Sequence, residues 1–318
     1  MSNKSTSHWR ERALLLALLT GSACAERGEV IGVLDDASPS AVGESTSPTL
    51  LSGTSGTPSV PSRPHFSEPE LISELCSPSA QDEDPTLTDD ELNMLFLSER
   101  TGGRELYATR RATTQSPWSA PQTIAELNTE SSEITPFLAR DGLSVWYYSA
   151  HEPAGLWLSQ RASTSTSFGA PAPLEELNSL GMLIGPWVSP DQLKMTMTVL
   201  GPTTVGWDLH VARRSSTNEP WQVPVPLDEL NGPDNEHDPF LWDDERQLLM
   251  SSTRAGQGDL FWTWRTSSNA SFEAPEPLDE LNLPDSVEAD PELMPSGTLY
   301  FSSDRAGSSC IYRATRLD

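Results

Sequence analysis

From residue 66 onward the chain alternates apolar and polar positions in short runs separated by turns, the period-two pattern of half-buried strands rather than the wider spacing of helices. β-rich runs recur at residues 94–98, 145–149, 195–199, 248–252 and 299–303. Each follows a turn carrying Asp or Gly: Asp89-Asp90, Asp141-Gly142, Ser189-Pro190-Asp191, Asp243-Asp244 and Ser296-Gly297. A Gly-bearing turn then leads to a further run, at Leu106-Tyr107, Leu156-Trp157, Leu209-His210, Leu260-Phe261 and Ile311-Tyr312.

The pattern is periodic. An aromatic stands at Phe66, Trp118, Phe168, Trp221 and Phe272, and nine residues after each comes Leu75, Leu127, Leu177, Leu230 or Leu281. Four of these Leu lie in Glu-Leu-Asn triplets ending at Asn128, Asn178, Asn231 and Asn282, while the first copy reads Glu74-Leu75-Cys76. A proline follows at Pro85, Pro136, Pro186, Pro239 and Pro291. Four antiparallel strands in a unit of about fifty residues predict one propeller blade. Five copies predict an all-β, five-bladed β-propeller over residues 66–318. The chain enters on a fourth strand (66–72) and leaves after a third (311–316), so the N- and C-terminal strands should pair within one blade and remove the exposed edge.

Two stretches carry a family resemblance: Asp290-Pro291 followed by Leu-Tyr-Phe-Ser-Ser-Asp-Arg-Ala-Gly at 299–307, and Asp238-Pro239 followed by residues 251–256. They resemble the TolB-type, WD-like propeller repeat of bacterial envelope lipoproteins. The second and third copies lack the Ser-Asp-Arg-like turn. The resemblance implies the propeller fold and says little about activity.

Ahead of the repeats, Lys4, Arg10 and Arg12 precede an apolar run at 13–19, and Gly21-Ser22-Ala23 lead to Cys24. This is the pattern of a secretory signal (1–23). Its small-small-Cys ending resembles a lipobox, with Cys24 as the lipidated residue. Residues 24–65, rich in Ser, Thr and Pro, read as a disordered tether. The expected location is the cell envelope, at the outer membrane, with the lipid as the membrane contact. The formal net charge of −26 opposes nucleic-acid binding. We expect a monomer.

The remaining cysteines fit the ring. In the other copies the residue just before the third-run Leu and the triplet Asn hold fixed positions, as Glu105 and Asn128 do; in the shared blade those places are Cys310 and Cys76. Pairing of third and fourth strands should bring them together as a disulfide in an oxidising compartment.

Candidate chemistry lies before the repeat proline. Asp82, Glu133, Glu236 and Glu288 stand three residues ahead of it, with Leu183 in the third copy. Asp84, Asp238 and Asp290 stand one residue ahead, with Thr135 and Gly185 in the second and third. As positions two apart share a strand face, they should form an acidic rim around the channel. Such a rim can bind a ligand, hold Ca²⁺, or bond backbone amides as scaffold. No other cofactor is implied, and no catalytic residue stands out. His237 reads as an exposed turn residue, and Arg100, Arg254 and Arg305 as structural. Two functions follow: a non-catalytic binding or scaffolding protein whose propeller face engages an envelope protein, peptide or glycan, or a carbohydrate-active hydrolase using channel carboxylates.

Overall fold

The computed structural model describes residues 60–202 and 204–318. The signal segment, Cys24 and the tether up to residue 59 lie outside the described residues. Among the described residues no helix is long and apolar enough to cross a membrane.

Residues Pro61–Asp318 form one compact unit of five four-stranded antiparallel sheets. Asp82–Leu87, Glu133–Leu138, Met182–Val188, Glu236–Trp242 and Glu288–Leu293 are the innermost strands of blades 1 to 5. Each touches its counterpart in the next blade, and the fifth touches the first, closing a ring. Blade 5 takes its outermost strand, Glu70–Leu71, from the N-terminal end, with Glu70 opposite Arg313 and Leu71 opposite Tyr312. Phe66 adds a bridge to Arg316.

Each repeated residue has a physical task. The five repeat Leu side chains are at most 1% exposed, so each plugs its blade's core. The triplet Asn imitates a strand: Asn128 Oδ1 accepts the Leu106 N–H at 2.8 Å and its Nδ2 donates to the Leu106 carbonyl at 2.9 Å. Asn178, Asn231 and Asn282 bind Leu156, Leu209 and Leu260 in the same way. The triplet Glu laces one blade to the next, since Glu74, Glu176 and Glu229 accept the N–H of Trp118, Trp221 and Phe272. The repeat aromatic is then covered by an arginine: Arg111, Arg161, Arg214 and Arg265 lie 4.2 to 4.3 Å from the ring centres of Trp118, Phe168, Trp221 and Phe272.

Three features depart from the sequence expectation. The outermost strands are two residues long, shorter than the run read at 66–72. Proline explains this: Pro69, Pro121, Pro171, Pro224 and Pro275 immediately precede them, and a residue without an N–H belongs on a sheet edge. The third copy turns its Glu-Leu-Asn segment into a single helical turn, Glu175–Asn178. Finally, residues 61–65 belong to the compact unit, with Arg63 donating to Glu280 at 2.8 Å and to the Pro277 carbonyl at 2.7 Å.

Candidate functional site

The two sets of acids separate into different layers. Asp82, Glu133, Glu236 and Glu288 are wholly buried. Arg100 Nη2 donates to Asp82 at 2.6 Å and to the Leu75 carbonyl at 2.9 Å. Arg254 joins Glu236 to Leu230, and Arg305 joins Glu288 to Leu281, in the same way. The arginine thus ties the start of the inner strand to the segment that plugs the core. Blade 2 has no such arginine, and Glu133 instead accepts from Thr129 Oγ1 at 2.7 Å and Ser149 Oγ at 2.8 Å. In blade 3 Leu183 fills the place, fully buried. Blades 2 and 3 are therefore complete without the turn motif.

The second layer faces the channel. Asp84, Thr135, Gly185, Asp238 and Asp290 all adopt positive φ, between 50° and 56°. In every blade the ladder to the neighbouring strand slips at this point, so each residue is the turning point of a bulge set just ahead of the proline. The bulge is what separates the two layers: without it, residues two apart would share a face. A β-branched residue is seldom found at positive φ, so Thr135 marks how firmly the ring imposes this shape. All five line a narrow cavity of about 50 Å³. Their side chains link blades, with the Asp84 N–H donating to Asp290 Oδ2 at 3.2 Å and the Thr135 N–H to Asp84 Oδ2 at 3.3 Å. Ser251 donates to Asp238 Oδ2 at 2.8 Å. One oxygen from each of the three Asp lies within 4.8 Å of the others.

His237, read as an exposed turn residue, is 3% exposed within an inner strand and packs against Trp207, ring centres 5.6 Å apart. It sits beside Asp238, so the bulge turns it inward.

The third layer is one the sequence reading missed. The residue after the repeat proline is Thr86, Phe137, Trp187, Phe240 or Glu292, and it differs between most blades while its flanks repeat. That variability against a repetitive frame was the signal available. Phe137 packs on Trp146 and Phe240 on Trp242, with centroids 6.1 and 6.4 Å apart. Arg140 Nη1 donates to Glu292 at 2.7 Å and lies over the Phe240 ring at 5.1 Å. Burial raises the Glu292 carboxyl pKa in spite of the Arg140 charge and the Leu87 N–H, which both pull it down. Beyond this layer, on the face formed by the turns between inner and second strands, lie two cavities of about 790 and 520 Å³. They share Arg140, Trp187, Ser189, Pro190 and Leu241, forming one recess that draws on all five blades.

No protein-family model matches the chain, and no curated protein matches it. Solved structures do. The GH62 α-L-arabinofuranosidase catalytic domain of Coprinopsis cinerea superimposes with a TM-score of 0.55 at 13% identity, over 80% of this chain and 97% of that one. The endo-arabinase of Bacteroides thetaiotaomicron gives 0.52 at 14% identity, over 79% and 98%. A putative TolB from Agrobacterium tumefaciens gives 0.48 at 16% identity, over 76% and 79%. These likenesses show the fold alone. A shared propeller serves unrelated activities, so the choice between binding and hydrolysis rests on the site itself.

Proposed function

We propose that this protein is a non-catalytic binding protein of the bacterial cell envelope, exported and anchored through Cys24, which takes its ligand in the recess on the turn face of the propeller. The observation that carries this reading is the recess itself, an open concavity drawing on all five blades, into whose lining the chain places Trp146, Trp187 and Trp242. Asp89, Asp90, Asp141, Asp191, Asp243, Asp244 and Glu245 rim it. An aromatic floor and a carboxylate rim suit an extended peptide with basic side chains. The Cys76–Cys310 disulfide supports an oxidising compartment.

The hydrolase reading draws on the convergence of Asp84, Asp238 and Asp290. The size of the cavity counts against it. A cavity of about 50 Å³ is far smaller than the several hundred cubic ångströms of an ordinary ligand site.

The test is titration of the full chain with Lys- and Arg-rich peptides, followed by tryptophan fluorescence. Binding should weaken with ionic strength and fall roughly tenfold or more in Trp187→Ala, as expected for a buried aromatic anchor. Cleavage of an arabinan or related glycan that is abolished by Asp290→Asn, with no peptide binding, would overturn the proposal.

A further inference from the structure

The channel layer holds more than scaffold needs. Asp84, Asp238 and Asp290 come from blades 1, 4 and 5, and accept from the Thr135 N–H, the Ser251 hydroxyl and the Asp84 N–H respectively. Asp290 Oδ1 is buried without a hydrogen-bond partner among the described residues. So is Thr135 Oγ1, an uncharged group on a different blade, 6% exposed and lining the same cavity. Buried oxygens left without partners are uncommon in folded proteins, and two around one small cavity ask for an occupant. Gly185 makes room for it: a Cβ there would meet Asp238 Oδ1 at 3.0 Å.

The donor set defines the occupant. The cavity is lined by carboxylates, a threonine and apolar residues, with neither cysteine nor histidine, which selects a hard cation over zinc or copper. Oxygens within 4.8 Å of one another can share a single ion, and side chains fixed on separate blades suit calcium, which tolerates irregular oxygen shells, better than magnesium, which demands near-ideal octahedral geometry. A volume of about 50 Å³ accepts an ion and a water completing its shell. We propose that Asp84, Asp238, Asp290 and Thr135 form a calcium site at the hub of the propeller. The ion bonds blade 5, assembled from both chain ends, to blades 1 and 4. None of these four ligands lines the recess.

The experiment uses the full chain, stripped with chelator and desalted. Adding millimolar calcium should raise the melting midpoint by roughly 5 to 10 °C if the concentration is about a hundredfold above Kd, and magnesium should raise it less. Calorimetric titration should show one calcium per chain. Asp290→Asn and Thr135→Val should each reduce the rise, with the β-sheet circular dichroism intact. If either variant fails to fold, the stripped wild-type protein still decides. No heat and no shift with calcium in the wild-type protein would overturn the site, as would an undiminished rise in folded Asp290→Asn.

Discussion

Cys76 and Cys310 are joined by a disulfide, with Cα atoms 5.1 Å apart, at the place where the other four blades use a triplet asparagine to hold the third strand. The blade made from two chain ends has a covalent bond where the blades made from continuous chain have a pair of hydrogen bonds. The difference is physical: only here are the paired segments separated by 234 residues, so only here does a cross-link remove a large loop entropy from the unfolded chain.

Replacing both cysteines by serine should therefore destabilise the domain by roughly 2 to 5 kcal/mol, read from denaturant unfolding, and reductant should have the same effect on the natural chain. Installing the asparagine of the other blades, as Cys76→Asn with Cys310→Ser, should recover about 1 kcal/mol relative to the double serine variant. Equal stability of the two variants would show that the asparagine clamp does not transfer to the seam.

Gly155 occupies the Cys310-equivalent position of blade 2, at a φ of 149°, and a Cβ there would lie 2.2 Å from the Asn178 carboxamide carbon. Gly155→Ala forces out the side chain that clamps Leu156. Unfolding should cost about 1 to 3 kcal/mol less than in the natural protein, while the equivalent change at Gly103, which has open space around it, should be nearly neutral.

Arg140→Met leaves Glu292 buried without its guanidinium. The expected loss is roughly 3 kcal/mol near neutral pH, since an unpaired buried charge is costly. Glu292 already has a raised pKa in the folded state. A group that holds its proton more tightly when folded loses stability as pH rises through its folded pKa. The defect should accordingly shrink as pH falls and Glu292 takes up a proton; a defect equally deep at all pH values would point to lost packing on Phe240 instead.

Asp259 offers a separate pH handle. Burial, then the charges of Glu288 and Asp279, push its pKa up to about 6. Folding is then favoured by protonation, and stability contributed by this group falls as pH rises from about 4 to about 6. Asp259→Asn should be more stable than the natural chain at neutral pH, by about 1 to 2 kcal/mol once solvent screening is allowed for, and equal to it near pH 3. Parallel stability curves from pH 3 to 8 would contradict this.

The architecture was legible because the repeat writes each structural task five times. Leu75, Leu127, Leu177, Leu230 and Leu281 are the core plugs, and their spacing disclosed the period, while the strands at 66–72 and 311–316 disclosed the ring closure. The separation of Asp82 from Asp84 was not legible, because alternation along a strand assumes an unbroken ladder and the bulge before each proline breaks it. Phe137 and Trp187 were not legible for a related reason: the repeat marks what recurs, whereas these two reach the recess from a position that varies within the frame. Their aromatic character became meaningful only once five separate strands were seen to converge on one face.

The division of blade 5 between the two ends of the chain also bears on how the protein is made. Its outermost strand precedes the other four blades along the chain, and the three strands it must join follow them. A polypeptide stalled or clipped before Cys310 therefore carries four finished sheets and an open circle with exposed edges, a form that proteases and chaperones recognise. Only a chain that has made the strand from Cys310 to Thr315 can hide them.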